Sequence, residues 1–336
     1  MQSLHHVNTL PTNLERRPGP NVTISVAVPT HKRPRYLQAA LDSVLHQTRP
    51  PDEVIVSEDG SDPETAEVVH RYAANLPIRH LTNVPPLGEL RNRRQAFAAT
   101  HGTFVAMIDD DDEWEPTFLE TTSRELLAHP ECGFCSSDHW LMDADGQVLV
   151  EASEASTRRF GRDAMRTGVY DDVLMRYLAW TCFPLQHTVF RRDVIAGVGF
   201  VPGGEEGVAG DFSLFTELGA KRVRAYYVDQ RLGRYRTHAG QVTRNRILMA
   251  STHVDALEHL ARHDDLSREE RAALAQRFRG QVVELAIAHA HARHRREALN
   301  SLRRYGELGW GLPPPRRLVV LAALLLGVRR HGATES

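Results

Sequence analysis

The strongest constraint on the fold of this 336-residue chain is a single junction, where the apolar run Phe104 to Ile108 leads straight into Asp109, Asp110, Asp111 and Asp112. Five apolar residues in a row (FVAMI) read as a strand buried on both faces, as strands of parallel sheets are. The four carboxylates at its end then stand where open α/β sheets bind their ligands. Clustered carboxylates raise one another's pKa unless a cation joins them, and hard divalent cations prefer oxygen ligands. A diphosphate held through Mg2+ or Mn2+ suits such a cluster. Capping of a helix that starts near Pro116 accounts for Asp112 or Glu113 but not for all four acids.

The residues before this junction repeat a strand–helix rhythm, which predicts an α/β fold whose mixed sheet is flanked by helices. TISVAVP forms a first strand ending at Pro29. Pro34 opens a helix whose apolar stripe is Leu37, Ala40, Leu41, Val44 and Leu45. Glu53 to Ser57 is a second strand, Ser61-Asp62-Pro63 starts a helix through Ala74, a third strand includes Ile78 to Leu81, and Gly88 to Ala99 is helical. The second strand ends in Ser57-Glu58-Asp59-Gly60-Ser61 on the same edge of the sheet. A carboxylate there can accept the imide N–H of a uracil while Gly60 lets the chain turn under the base; a plain polar turn is the alternative.

From 130 to 246 apolar runs alternate with loops and no linker intervenes, so the segment reads as the second half of one domain. After Ile247 the residues are mostly Ala, Leu, Arg and His, which predicts helices to about Tyr305, one of them opened by the capping-box pair Ser267 and Glu270. The expected organisation is a flexible lead-in over 1–20, a domain over 21–246 with halves 21–120 and 121–246, and a helical extension over 247–336.

Forty-one Lys and Arg nearly balance 43 Asp and Glu, so no global field draws the chain to nucleic acid, and none is expected as a partner. The first twenty residues lack the apolar centre of a secretory signal, and three cysteines do not make a disulfide framework, so a cytoplasmic protein is expected. The run Leu318 to Val328 is short of the ~20 residues that cross a bilayer. With Arg316, Arg317, Arg329 and Arg330 around it, the stretch 316–330 suits peripheral contact with the inner face of a membrane, and equally a helix packed on the body. Nothing in the sequence speaks to oligomeric state.

VAVPTHKRPRYLQAALDSVLHQTRPPDEVIVSEDGSDPET, followed by LRNRRQAFAATHGTFVAMIDDDDEWEP, resembles the nucleotide-binding half of glycosyltransferase family 2, over roughly Thr23 to Glu120. The resemblance implies a GT-A fold and inverting transfer of a sugar from a nucleotide diphosphate sugar, a UDP-sugar first, to a hydroxyl of a glycan or lipid-linked acceptor. It implies that Pro29, Thr30 and Asp59 hold the nucleoside. Asp109 and Asp110 belong to the DXD motif at the nucleotide, with Asp111 as the direct ligand of Mg2+ or Mn2+. Arg91, in the stretch similar to the family's Arg-Asn helix, would approach the diphosphate, and Glu58 stands where aspartate is more usual. Farther on, Gly210-Asp211-Phe212 resembles the Glu-Asp motif whose aspartate is the general base. Gly210 replaces the usual glutamate, which leaves Glu205 and Glu206 as alternatives to Asp211. The segment Gly233 to His238 resembles a Tyr-Arg-x-His segment, which implies that its histidine, His238, or its arginine, Arg236, reaches the metal or diphosphate.

Other features read more plainly. Cys132 and Cys135 lie in a strand with no second pair, so they are expected as buried thiols. His289, His291 and His294 do not share a helical face. Trp180, Phe183 and His187 line either an acceptor pocket or the core. A nucleotidyltransferase would need a Gly-rich phosphate loop that PTHKRPRY lacks. A non-catalytic sugar-nucleotide-binding module, or transfer to a peptide side chain, are the competing functional readings.

Overall fold

The computed structural model describes residues 22–198, 210–241 and 244–307. The chain alternates β1 (Ile24–Thr30), α1 (Pro34–Leu45), β2 (Glu53–Asp59), α2 (Pro63–Tyr72), β3 (Ile78–Asn83), α3 (Glu89–Ala98) and β4 (Phe104–Met107). The aspartates follow, then β5 (Glu113–Trp114), α4 (Phe118–Ala128), β6 (Cys132–Met142), α5 (Val150–Arg159), β7 (Gly168–Tyr170) and α6 (Val173–Trp180). After β8 (Thr188–Arg191) and α7 (Arg192–Val198) come α8 (Asp211–Ala220) and β9 (Arg224–Arg236), and the helices α9 (Arg246–Leu260), α10 (Arg268–His291) and α11 (Arg295–Glu307).

These strands make one mixed sheet in the order β3-β2-β1-β4-β8-β6-β9-β5, with β7 beside β9. β1 is parallel to both β2 and β4, whereas β8 is antiparallel to β4 and to β6. Every residue of β1 and β4 is buried, because helices cover both faces. The two-residue period sorts their side chains: Val26, Val28, Phe104 and Ala106 face a core shared with α1, α2 and α4. Ala27, Val105 and Met107 face the other core, which takes in α3, α6, α8, α9 and α10.

Local signals explain the helix starts. The Asp62 side chain accepts from the Thr65 N–H, Asn245 caps α9 through the Leu248 N–H, and Ser267 and Glu270 form the reciprocal capping box at α10. Boundaries shift from the sequence reading by one or two residues: β1 runs on to Thr30, β2 to Asp59 and β3 to Asn83, α2 stops at Tyr72, and α3 starts at Glu89 because Gly88 takes φ +87°. The lead-in 1–20, Glu205, Glu206 and the run Leu318 to Val328 lie outside the described residues. No helix among the described residues is long and apolar enough to cross a membrane.

Candidate active site

Chain order and strand order part company at β1 and β4. From β1 the chain moves outward through β2 to β3, then returns to lay β4 on the other side of β1. That reversal opens a crevice at the carboxyl ends of the two strands, the place where doubly wound sheets take ligands. Thr30 ends one strand and the aspartates follow the other, and the Thr30 hydroxyl donates to Asp110 Oδ2 at 2.8 Å across the crevice.

Each aspartate has its own partner. Asp109 Oδ2 accepts from Arg93 Nη2 and from Gln186 Nε2, both at 2.7 Å. Asp110 takes Thr30 and, at 3.3 Å, Arg33 Nη1. Asp111 Oδ2 accepts from the same Arg33 nitrogen and lies against His238 Nε2, each at 2.9 Å. Asp112 Oδ1 accepts the Arg236 N–H at 2.9 Å, so it serves β9 and not α4, whose first turn has no side-chain cap. The helix-cap explanation of the acids therefore fails.

Crowding and burial leave these acids under strain. Asp110, Asp111 and Asp112 are 5%, 9% and 1% exposed. Burial first, then the charge of Asp111, pushes Asp110 up to about 7 against the opposing pull of Arg33 and Thr30. The same two causes hold Asp112 well above the usual carboxylate range. Asp109 Oδ1 and Asp112 Oδ2 are buried without a hydrogen-bond partner. Carboxylate oxygens of Asp109, Asp111 and Asp112 lie within 4.8 Å of one another. Three carboxylates grouped this closely, two of them keeping an unpaired buried oxygen, are the donor chemistry of a hard divalent cation, so these residues fit Mg2+ or Mn2+.

His238 enters differently from expectation. The Gly240 N–H donates to its Nδ1 at 3.2 Å, which places the ring proton on Nε2, where it donates to Asp111. As it stands His238 orients Asp111, and its Nε2 becomes a ligand atom only after giving up that proton.

Pro29, Thr30, Asp59, Arg91 and Asp211 line the same cleft as Asp109, Asp110 and Asp111. Asp59 is already engaged, because its two oxygens accept the N–H groups of Leu87 and Gly88 and so fix the loop that begins α3. Glu58 is bonded to His80 Nε2 at 2.9 Å and to the Asp62 N–H, which makes it a brace for the turn after β2. Arg91 reaches the cleft from an exposed position, whereas Arg93, two residues on, pairs with Asp109.

Asp211 opens α8 directly after Gly210. Burial raises its pKa to about 6; Arg93 pulls it down, and Asp109 pushes it up. A carboxylate with that value is ionised at neutral pH yet a better base than an ordinary aspartate.

Sequence reasoning missed Arg33, Arg93 and Gln186. The first two sit in quoted motifs (HKRPR and LRNRR), where basic side chains next to an acidic cluster were the available signal. Gln186 comes from the short turn before β8, and only the sheet topology brings it in, whereas Arg236 is the arginine of the Tyr-Arg-x-His segment. Arg236 is 3% exposed, donating to the Asp111, Asp143 and Ala144 carbonyls and pairing with Glu113.

Of the aromatic group, Trp180 and Phe183 line the cleft, Trp180 being 53% exposed. His187 belongs to the core, stacked on His139 at 4.7 Å. Cys132 and Cys135 are buried free thiols, and burial pushes Cys132 up to about 11. His289, His291 and His294 are not among the described residues that converge as a metal-capable set.

Residues 25–137 match the family model for glycosyl transferase family 2. The uncharacterized glycosyltransferase YibD of Escherichia coli strain K12 is 25% identical over 281 residues, covering 80% of this chain and 78% of YibD. S. aureus TarS in complex with UDP-GlcNAc superposes with a TM-score of 0.60 at 15% identity, over 79% of this chain and 81% of TarS. The mannosyltransferase PcManGT from Pyrobaculum calidifontis, in complex with GDP-Man and Mn2+, gives 0.58 at 19% identity, over 91% and 85% of the two chains. These likenesses establish the GT-A fold.

Proposed function

We propose that this chain, whose residues 25–137 match the model for glycosyl transferase family 2, is a glycosyltransferase that transfers a sugar with inversion from a nucleotide diphosphate sugar to a hydroxyl of a glycan or lipid-linked acceptor. The observation that carries this reading is the sharing of one cleft by the aspartate cluster and Asp211, with Arg93 between their charges.

Thr30 and Asp59 would flank the nucleoside, and a UDP-sugar is the first donor to test. Asp109, Asp111 and Asp112 would hold Mg2+ or Mn2+, which when bound neutralises charge building on the departing diphosphate. Asp211 accepts the proton of the acceptor hydroxyl as that oxygen bonds to the anomeric carbon. The bond from this carbon to the diphosphate oxygen breaks at the same time, its electron pair leaving with the diphosphate. Attack from the face opposite the leaving group inverts the configuration. Proton loss comes late, when bonding to an oxocarbenium-like carbon has made the hydroxyl acidic, so a carboxylate suffices as base. Trp180, exposed where it lines the cleft, would offer an apolar face to the acceptor's sugar ring.

The test is a panel of sugar nucleotides assayed for metal-dependent release of nucleotide diphosphate, followed by NMR of the product's anomeric centre with the donor that works. Retained configuration, or release that ignores a chelator, would refute the mechanism.

A further inference from the structure

Away from the cleft, three ligand-bearing side chains meet where α8 packs on the end of α9. Glu217, in the second half of α8, is 8% exposed. His263 Nε2 is 3.0 Å from its Oε2, and His259 Nε2 is 3.9 Å from the same oxygen. His259 belongs to the last turn of α9, and His263 lies in the turn that follows. One atom from each residue falls within 4.8 Å of the others.

We infer that Glu217, His259 and His263 form a zinc site that clasps α8 to the end of α9. Two imidazoles and a carboxylate are a donor set that Zn2+ favours, with a fourth position left to water. In a tetrahedral site with bonds of about 2.0–2.2 Å, ligand atoms are about 3.3–3.6 Å apart. The two separations from Glu217 Oε2 bracket that range. A hydrogen-bonded pair alone explains His263 but not His259, which is aimed at the same oxygen from beyond hydrogen-bonding distance. Asp265 Oδ1 lies 3.8 Å from His263 Nδ1, on the side where ligand histidines usually meet an orienting carboxylate. Lys221 Nζ is 4.0 Å from Glu217 Oε1, the oxygen the histidines do not use. Because Asp211 begins the helix that carries Glu217, about 9 Å along its axis, the ion would anchor that helix.

The test uses the full chain carrying Asp111→Ala, which weakens the aspartate site, after dialysis against chelator. Zn2+ is titrated by equilibrium dialysis and Co2+ by visible absorption, since a tetrahedral nitrogen–oxygen site absorbs strongly and an octahedral oxygen site weakly. One equivalent of Zn2+ should bind with a rise in Tm and an intense Co2+ band. His259→Ala and His263→Ala should each weaken binding by at least the ~10- to 100-fold that changes in outer-shell partners cause. His294→Ala should leave it unchanged. Circular dichroism checks folding, and His259→Gln, at a partly exposed position, replaces any variant that unfolds. A weak Co2+ band, or Zn2+ affinity unchanged in the His259 and His263 variants, overturns the assignment.

Discussion

Asp211→Asn separates chemistry from folding, because the structure gives the two effects opposite signs. Asparagine keeps the shape of the side chain but cannot take a proton, so turnover should fall by about 10²- to 10⁴-fold, the usual contribution of a positioned base. Donor affinity should hold, since the aspartate cluster is untouched. Stability should rise. Burial lifts Asp211 from 3.8 to about 6, so the ionised group disfavours the folded state above that pH. The rise corresponds to about 3 kcal/mol, and solvent at the half-buried edge of the group lowers the expected gain to about 1–3 kcal/mol. The sign follows from the order of the two values: the penalty is fully present above pH 6, shrinks as pH falls from 6 towards 3.8, and is gone below the unfolded value. Urea unfolding with chelator at pH 7.5 should therefore show the variant ahead of the parent, and at pH 4 the two should converge. Parental turnover measured with a working donor and acceptor would refute the base assignment, and a variant less stable than the parent at pH 7.5 would refute the electrostatic account.

Parental kcat/KM should fall as pH drops through about 6, where Asp211 takes up its proton, and Arg93→Gln should move that limb to higher pH because Arg93 is what draws the value down; an unmoved limb in the variant would separate Arg93 from the base. Asp111→Ala should abolish the metal-stimulated part of nucleotide diphosphate affinity, and Asp59→Ala should weaken even the free nucleoside by about 1.5–3 kcal/mol, both read by calorimetry. Trp180→Ala should raise the acceptor KM while leaving metal-dependent donor hydrolysis at the parental rate, and an unchanged KM would remove Trp180 from the acceptor side.

The sheet was legible because its central strands are buried on both faces. A run such as FVAMI then has no polar alternation to confuse it, and the acids that follow mark the strand end. Asp111 and Asp211 were singled out by the resemblance, and the structure sets both in one cleft. Arg93 was not, since the resemblance drew attention to Arg91, and nothing in LRNRR says which arginine turns inward. Helical geometry decides it: Asn92 is fixed to the Ser57 carbonyl and hydroxyl, and Arg93 follows it towards Asp109. The Glu217, His259 and His263 set was invisible because Glu217 lies more than forty positions before the two histidines, and the packing of α8 on α9 alone joins them.

The three guanidinium groups that touch the aspartates or their backbone differ in one respect that bears on how the site can fill. Side chains of Arg236 and Arg93 are 4% and 15% exposed, whereas that of Arg33 is 31% exposed. Removing a buried guanidinium from its carboxylate leaves an uncompensated charge in low dielectric, which costs about 3–5 kcal/mol. Arg236 and Arg93 therefore act as fixed parts of the scaffold, setting the carbonyl of Asp111 and the carboxylate of Asp109. Arg33 has water at hand and three partners, Asp110, Asp111 and the Gly240 carbonyl. It can release Asp111 and stay tethered by Asp110, so a cation can reach the cluster without disturbing a buried pair. Its guanidinium, still held by Asp110 and the Gly240 carbonyl, would then face the place proposed for the diphosphate.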